Sequence, residues 1–198
     1  MRLRSALAVL VSLAATGSAS AQQLSGIGAN IFGNYFNFAK PNLEAAPVSE
    51  IALGGLKVKL QSTKLADVQK KHGGTIMRAD DATWICYHAD GTNTWLMSNP
   101  LGGQEFVMMV AVEASSKMPN GCEEAGDGFA APDMGIPGLG AGTAELKEVF
   151  GAASGNKISY RNDRPGGYAD IAQYIGYTMK GGKVAAYGVG ETSVPTAH

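Results

Sequence analysis

Histidine is scarce in this chain, with three residues in 198, cysteine is scarcer with two, and charged residues make up only 17% at a formal net charge of -1. Two cysteines exclude a disulfide-dense miniprotein. The balanced charge excludes a nucleic-acid binder driven by excess positive charge, and the 45% hydrophobic content excludes a chain dominated by disorder. No apolar run approaches the ~20 residues that a spanning helix needs. Motifs are missing too. There is no GxSxG elbow, no CxxC pair and no lysine-bearing phosphate loop, which argues against the commonest nucleophilic, redox and nucleotide chemistries.

What is present in excess is glycine. Its 27 residues are about twice the usual ~7% share. Glycine at this density punctuates strands and turns and disfavours long helices. At the start of the chain, Arg2 and Arg4 precede the apolar run Ala6 to Ala15 and then the small residues Ala19-Ser20-Ala21. Together these form the n-, h- and c-regions of a secretory signal peptide spanning 1–21. Its removal leaves an acidic mature chain with no cysteine at its new N-terminus to carry a lipid anchor, and no further segment long enough to cross a bilayer. The expected location is periplasmic or secreted. In such an oxidising compartment a lone cysteine pair is bonded, so Cys86 and Cys122 are expected to form a disulfide. Charge is also segregated: residues 51–78 are basic and 79–155 acidic, so the two stretches either face each other or polarise the surface.

Residues 22–48 read as an N-terminal arm with scattered aromatics at Phe32, Tyr35, Phe36 and Phe38. A first unit follows over 49–114. Leu56, Val58 and Leu60 alternate with lysines. A short helix, capped by Ser62 or Thr63, carries Leu65, Val68 and His72 and stops at Gly73-Gly74. Strands are expected over Thr83 to His88, Thr92 to Ser98 and Gln104 to Ala114, with turns at Asp90-Gly91 and Gly102-Gly103. Residues 115–134 form an acidic Pro/Gly linker. Over 135–198 the same order returns: a helix from Thr143 with Leu146, Val149 and Phe150, a stop at Gly151, then strands separated by Arg164-Pro165-Gly166-Gly167 and Lys180-Gly181-Gly182. The expected fold class is therefore α+β, with two tandem helix-plus-meander units forming one curved antiparallel sheet and short helices on one face.

The stretch Leu139-Gly140-Ala141-Gly142-Thr143-Ala144-Glu145-Leu146-Lys147-Glu148-Val149-Phe150-Gly151 resembles the signature of the small outer-membrane lipoprotein A family, which includes the BamE component of the β-barrel assembly machinery. Thr63 to Gly73 resembles a diverged second copy. Two such units in tandem are similar to the β-lactamase inhibitory protein family. The chain departs from the pattern in lacking a lipobox cysteine and in placing Ala152 and Ala153 where proline often follows the glycine. The resemblance implies envelope location and the curved-sheet fold, and carries over no functional residue.

No catalytic, metal or cofactor constellation is expected. The carboxylate neighbours Asp80-Asp81 and Glu123-Glu124 point to opposite faces of a strand and make poor acid–base partners. His72 falls on the core side of its helix. Gly138 to Thr143 serves as a helix-entry turn. What remains is a recognition surface on an open sheet face, with Trp84, Trp95, Tyr174 and Tyr187 as its candidate contacts for a protein or envelope component. The alternatives are an envelope hydrolase using His88 with Asp90 or Glu105, or an inhibitor of a secreted enzyme such as a β-lactamase.

Overall fold

The structure is a computed structural model and describes residues 41–79, 82–99 and 105–194. The expected signal peptide, most of the N-terminal arm with its four aromatics, Asp80-Asp81, the Gly102-Gly103 turn and His198 lie outside these residues.

Ten strands occur among the described residues, in chain order β1 (Ile51–Leu53), β2 (Leu56–Val58), β3 (Met77–Arg78), β4 (Thr83–Ala89), β5 (Thr92–Ser98), β6 (Met109–Ala114), β7 (Glu123–Glu124), β8 (Lys157–Arg164), β9 (Asp170–Lys180) and β10 (Lys183–Val194). Helices α1 (Leu65–His72) and α2 (Thr143–Phe150) have eight residues each. β1 and β2 form a small sheet of their own. The large sheet runs β3-β4-β5-β6-β10-β9-β8, with β7 lying parallel to β4 on the edge that β3 also uses. The chain is thus mostly β, and the α+β expectation is corrected. Both helices stop at glycines with positive φ, Gly73 and Gly151, after only two turns. Two turns bury two side chains apiece, Leu65 with Val68 and Leu146 with Phe150. That is too little to form a layer. The β1–β2 hairpin and irregular segments share the same core, contributing Val48, Ile51, Leu53 and Met134.

Three hairpins turn on two residues that both hold positive φ: Gly54-Gly55, Asp90-Gly91 and Gly181-Gly182. This conformation matches the right-handed twist of the flanking strands and excludes most side chains. The last two were expected; β1–β2 was not. Two three-stranded meanders result, β4-β5-β6 and β8-β9-β10, each following a helix. They meet where β6 pairs with β10 from Glu113↔Ala186 to Met109↔Gly190.

The sheet is packed on both faces. On one side Ile85, Leu96, Val110, Ile175, Tyr177 and Val189 join the helices. On the other, Trp84, Cys86, Trp95, Met97, Met109, Ala111, Tyr174 and Ala186 form a second core. Residues 115–134 do not hang free as a linker. Cys122 is bonded to Cys86, β7 pairs with β4, the Asp133 and Ala52 backbones bond each other, and Met134 is buried.

The outer edge of β8 is closed by Asn42. Its side-chain amide donates to the Ser159 carbonyl (3.2 Å) and accepts from the Arg161 N–H (2.8 Å), while its own backbone N–H donates to the Arg161 carbonyl (2.9 Å). One residue thereby reproduces the bonding of a short strand.

Candidate binding surface

The four candidate contact aromatics are all buried. Trp84 and Trp95 are 1% exposed, Tyr174 4% and Tyr187 5%. They also divide between the faces: Tyr187 belongs to the helix-side core and the other three to the second core. The open aromatic face expected from the sequence is therefore not found at these positions. Strand alternation assigns faces correctly but does not say whether a face is covered.

Trp84 lies under the disulfide segment, where a Cβ at Gly121 would stand 3.8 Å from the indole nitrogen. Tyr174 carries the Arg161 guanidinium 5.2 Å from its ring centre, and Asp163 holds that guanidinium through two bonds of 2.6 and 2.7 Å. The Tyr187 hydroxyl donates to the Pro132 carbonyl at 3.2 Å, and burial pushes its pKa up to about 12. Tyr187 stacks on Tyr177, which contacts Phe150 and Tyr160, so this ladder ties α2 to β8, β9 and β10. Burial likewise raises the Tyr177 and Tyr160 hydroxyls above the usual tyrosine range. These phenols stay protonated and act as packing groups.

His88 sits near the end of β4, half-buried. Its Nδ1 lies 2.6 Å from the Asn93 amide oxygen, and the Asn93 amide nitrogen donates to the Lys117 carbonyl at 3.1 Å. The second bond fixes the amide orientation, so Nδ1 must carry the imidazole proton to make the first. Glu105, one of its expected carboxylate partners, is instead held by Arg78 through bonds of 3.0 and 3.1 Å. This pair joins the basic stretch to the acidic one. Among the described residues no three groups of metal-ligating type come together.

Among the described residues one large aromatic is fully exposed. It is Tyr168, in the 165–169 loop between β8 and β9. A Cβ at Gly166 would overlap the Ala169 carbonyl oxygen, so the turn beneath Tyr168 requires glycine there. The sequence marked Arg164-Pro165-Gly166-Gly167 as a turn and Tyr168 as a strand residue. The signal that would have separated them is the glycine pair immediately before the tyrosine, which delays the strand to Asp170.

The Cys86–Cys122 bond is present, and no described helix is long and apolar enough to cross a membrane, a statement that leaves strand-built barrels aside. No known family model, no curated protein and no solved structure matches the chain.

Proposed function

We propose that the chain is an exported, non-enzymatic binding protein, periplasmic or secreted, that engages a protein or another envelope component through the tip of its β8–β9 hairpin. The observation that carries the reading is Tyr168, a fully exposed aromatic on a turn that requires glycine at position 166, whereas the aromatic residues of the described strands are all buried. Tyrosine brings a large amphipathic contact area at low entropic cost. The disulfide supports an oxidising compartment, and the resemblance of residues 139–151 to an outer-membrane lipoprotein family supports the envelope. His88 gives the hydrolase alternative little support, because its proton is committed to an amide rather than a carboxylate or a nucleophile.

The test places a photoreactive phenylalanine analogue at position 168, and in a control at Val149, which is half exposed on α2. A discrete cross-linked species from position 168, suppressed by excess unlabelled chain and absent from position 149, is the expected result. Equal labelling at both positions, or none at 168, would remove the hairpin as the contact.

A further inference from the structure

The segment that lies over Trp84 ends in a tight turn. Pro119, Asn120, Gly121 and Cys122 form it, closed by one backbone hydrogen bond from the Cys122 N–H to the Pro119 carbonyl at 3.1 Å. Gly121, at its third position, holds φ +83°, in the left-handed region that such a turn reserves for glycine. Cys122 then fastens the turn to β4 through Cys86.

The glycine that the turn demands also uncovers a reaction. Of the nine asparagines in the sequence, only Asn120 precedes a glycine. Elsewhere the next residue carries a Cβ that crowds its main-chain nitrogen or, after Asn99, is a proline with no N–H to give. Asn120 is exposed. Among the described residues neither its side-chain amide nor the Gly121 N–H has a hydrogen-bond partner. Other asparagines are held: Asn42 and Asn93 are bonded at both ends of their amides, and Asn162 is 3% exposed with its amide nitrogen on the Leu43 carbonyl at 3.0 Å.

We propose that Asn120-Gly121 is a site of spontaneous covalent modification, in which the Gly121 nitrogen displaces ammonia from the Asn120 side chain and water opens the resulting succinimide. The nucleophile and the amide carbon belong to neighbouring residues, so the attack is intramolecular and needs no partner to be brought in. A bond forms between the Gly121 nitrogen and Asn120 Cγ while the Cγ–Nδ2 bond breaks, and the Gly121 proton leaves on the ammonia. Nothing is oxidised or reduced. Water then adds to one of the two ring carbonyls. Attack at Cγ gives aspartate; attack at the main-chain carbonyl gives isoaspartate, whose chain runs through Cβ and whose former main-chain carbonyl is a free carboxylate.

Isoaspartate lengthens the backbone by one atom inside a turn that the disulfide tethers to β4. The product therefore loses the bond between Cys122 and Pro119 and loosens the cover over the Trp84 indole, beside which Gly121 sits. The site is independent of what meets Tyr168.

Ageing the purified full chain in mildly alkaline buffer, then digesting it, methylating isoaspartate enzymatically and mapping the peptides by mass spectrometry tests the proposal. Modification at Asn120 is expected to be at least about tenfold faster than at Asn156, which is also exposed but precedes Lys157, and than at Asn42, Asn93 and Asn162. A peptide of residues 117–124 carrying Cys122→Ser, aged alongside, shows when the incubation is long enough. Tryptophan emission is expected to shift to the red in the aged parent and to stay in place in Asn120→Gln, whose longer side chain closes a ring far more slowly. An unmodified Asn120 once the peptide has reacted, equal rates at Asn120 and Asn156, unchanged emission in the modified parent, or the same shift in aged Asn120→Gln would overturn it.

Discussion

His72 ends α1 with its ring wedged between elements distant in sequence. Nε2 lies 3.1 Å from the Leu53 carbonyl, and the ring meets Phe129 and Tyr87 edge-on at centroid distances of 5.4 and 6.2 Å. A Cβ at Gly54 would come within 2.9 Å of its Cε1. Burial is the largest influence on this imidazole and lowers its pKa from 6.5, the Leu53 carbonyl opposes that, and Lys71 adds to the lowering. The folded state therefore prefers the neutral ring and binds a proton less readily than the unfolded chain. The stabilisation is complete above the unfolded pKa of 6.5 and declines as pH falls from there through the folded value. The urea midpoint is expected to fall between about pH 7 and about pH 5, and the His72→Gln variant to show a smaller fall over the same window. The sequence placed His72 on the core side of its helix, since i, i+3 and i+7 from Leu65 share a face. What it left out was Gly54, Phe129 and the Leu53 carbonyl, because nothing in the spacing of residues brings 53, 72 and 129 together.

At the scale of elements, the two helices were legible and their role was not. Apolar spacing and glycine stops located both within one or two residues, although the caps lie one residue or more further in or out: Lys64 N–H bonds Asp67, Gly142 N–H bonds Glu145, and the Thr63 hydroxyl is spent on Lys59. Of the apolar residues that placed the second helix, Leu146 is wholly buried and Val149 half exposed. Leu146→Ala should cost about 2–5 kcal/mol in denaturant unfolding, and Val149→Ala about 0.5 kcal/mol or less. The long hairpins were legible because Asp90-Gly91 and Gly181-Gly182 interrupt alternating strands. β3 and β7 were not, since two residues show no alternation and exist only because β4 offers an edge. The second core was hidden for a different reason: Thr83 to Tyr87 is buried at every position, and a run buried on both faces carries no sign of what lies over either.

For the whole molecule, the disulfide and the hairpin tip separate what holds the fold from what it presents. Cys86 and Cys122 belong to the second core with both tryptophans, and their bond closes a loop of sequence separation 36. Chain entropy assigns this closure about 4 kcal/mol as an upper figure. The Cys86→Ser, Cys122→Ser double variant should lose up to that amount, with tryptophan emission shifting to the red as the second core loosens. Tyr168→Ala should leave stability within about 0.5 kcal/mol yet cost about 2 kcal/mol or more in partner binding if the hairpin is the anchor, measured by titration against the free partner identified from the cross-linked species. Asn42 has a consequence of another kind. A β-rich chain rich in exposed strand edges polymerises by recruiting like edges from its neighbours. Here a side-chain amide imitates a peptide group and occupies the β8 groups that such recruitment would use. Asn42→Ala should leave the Ser159 carbonyl and the Arg161 N–H open, and sedimentation velocity should then detect concentration-dependent association that the parent chain lacks. One amide is thus expected to limit sideways growth of the sheet at Ser159 and Arg161.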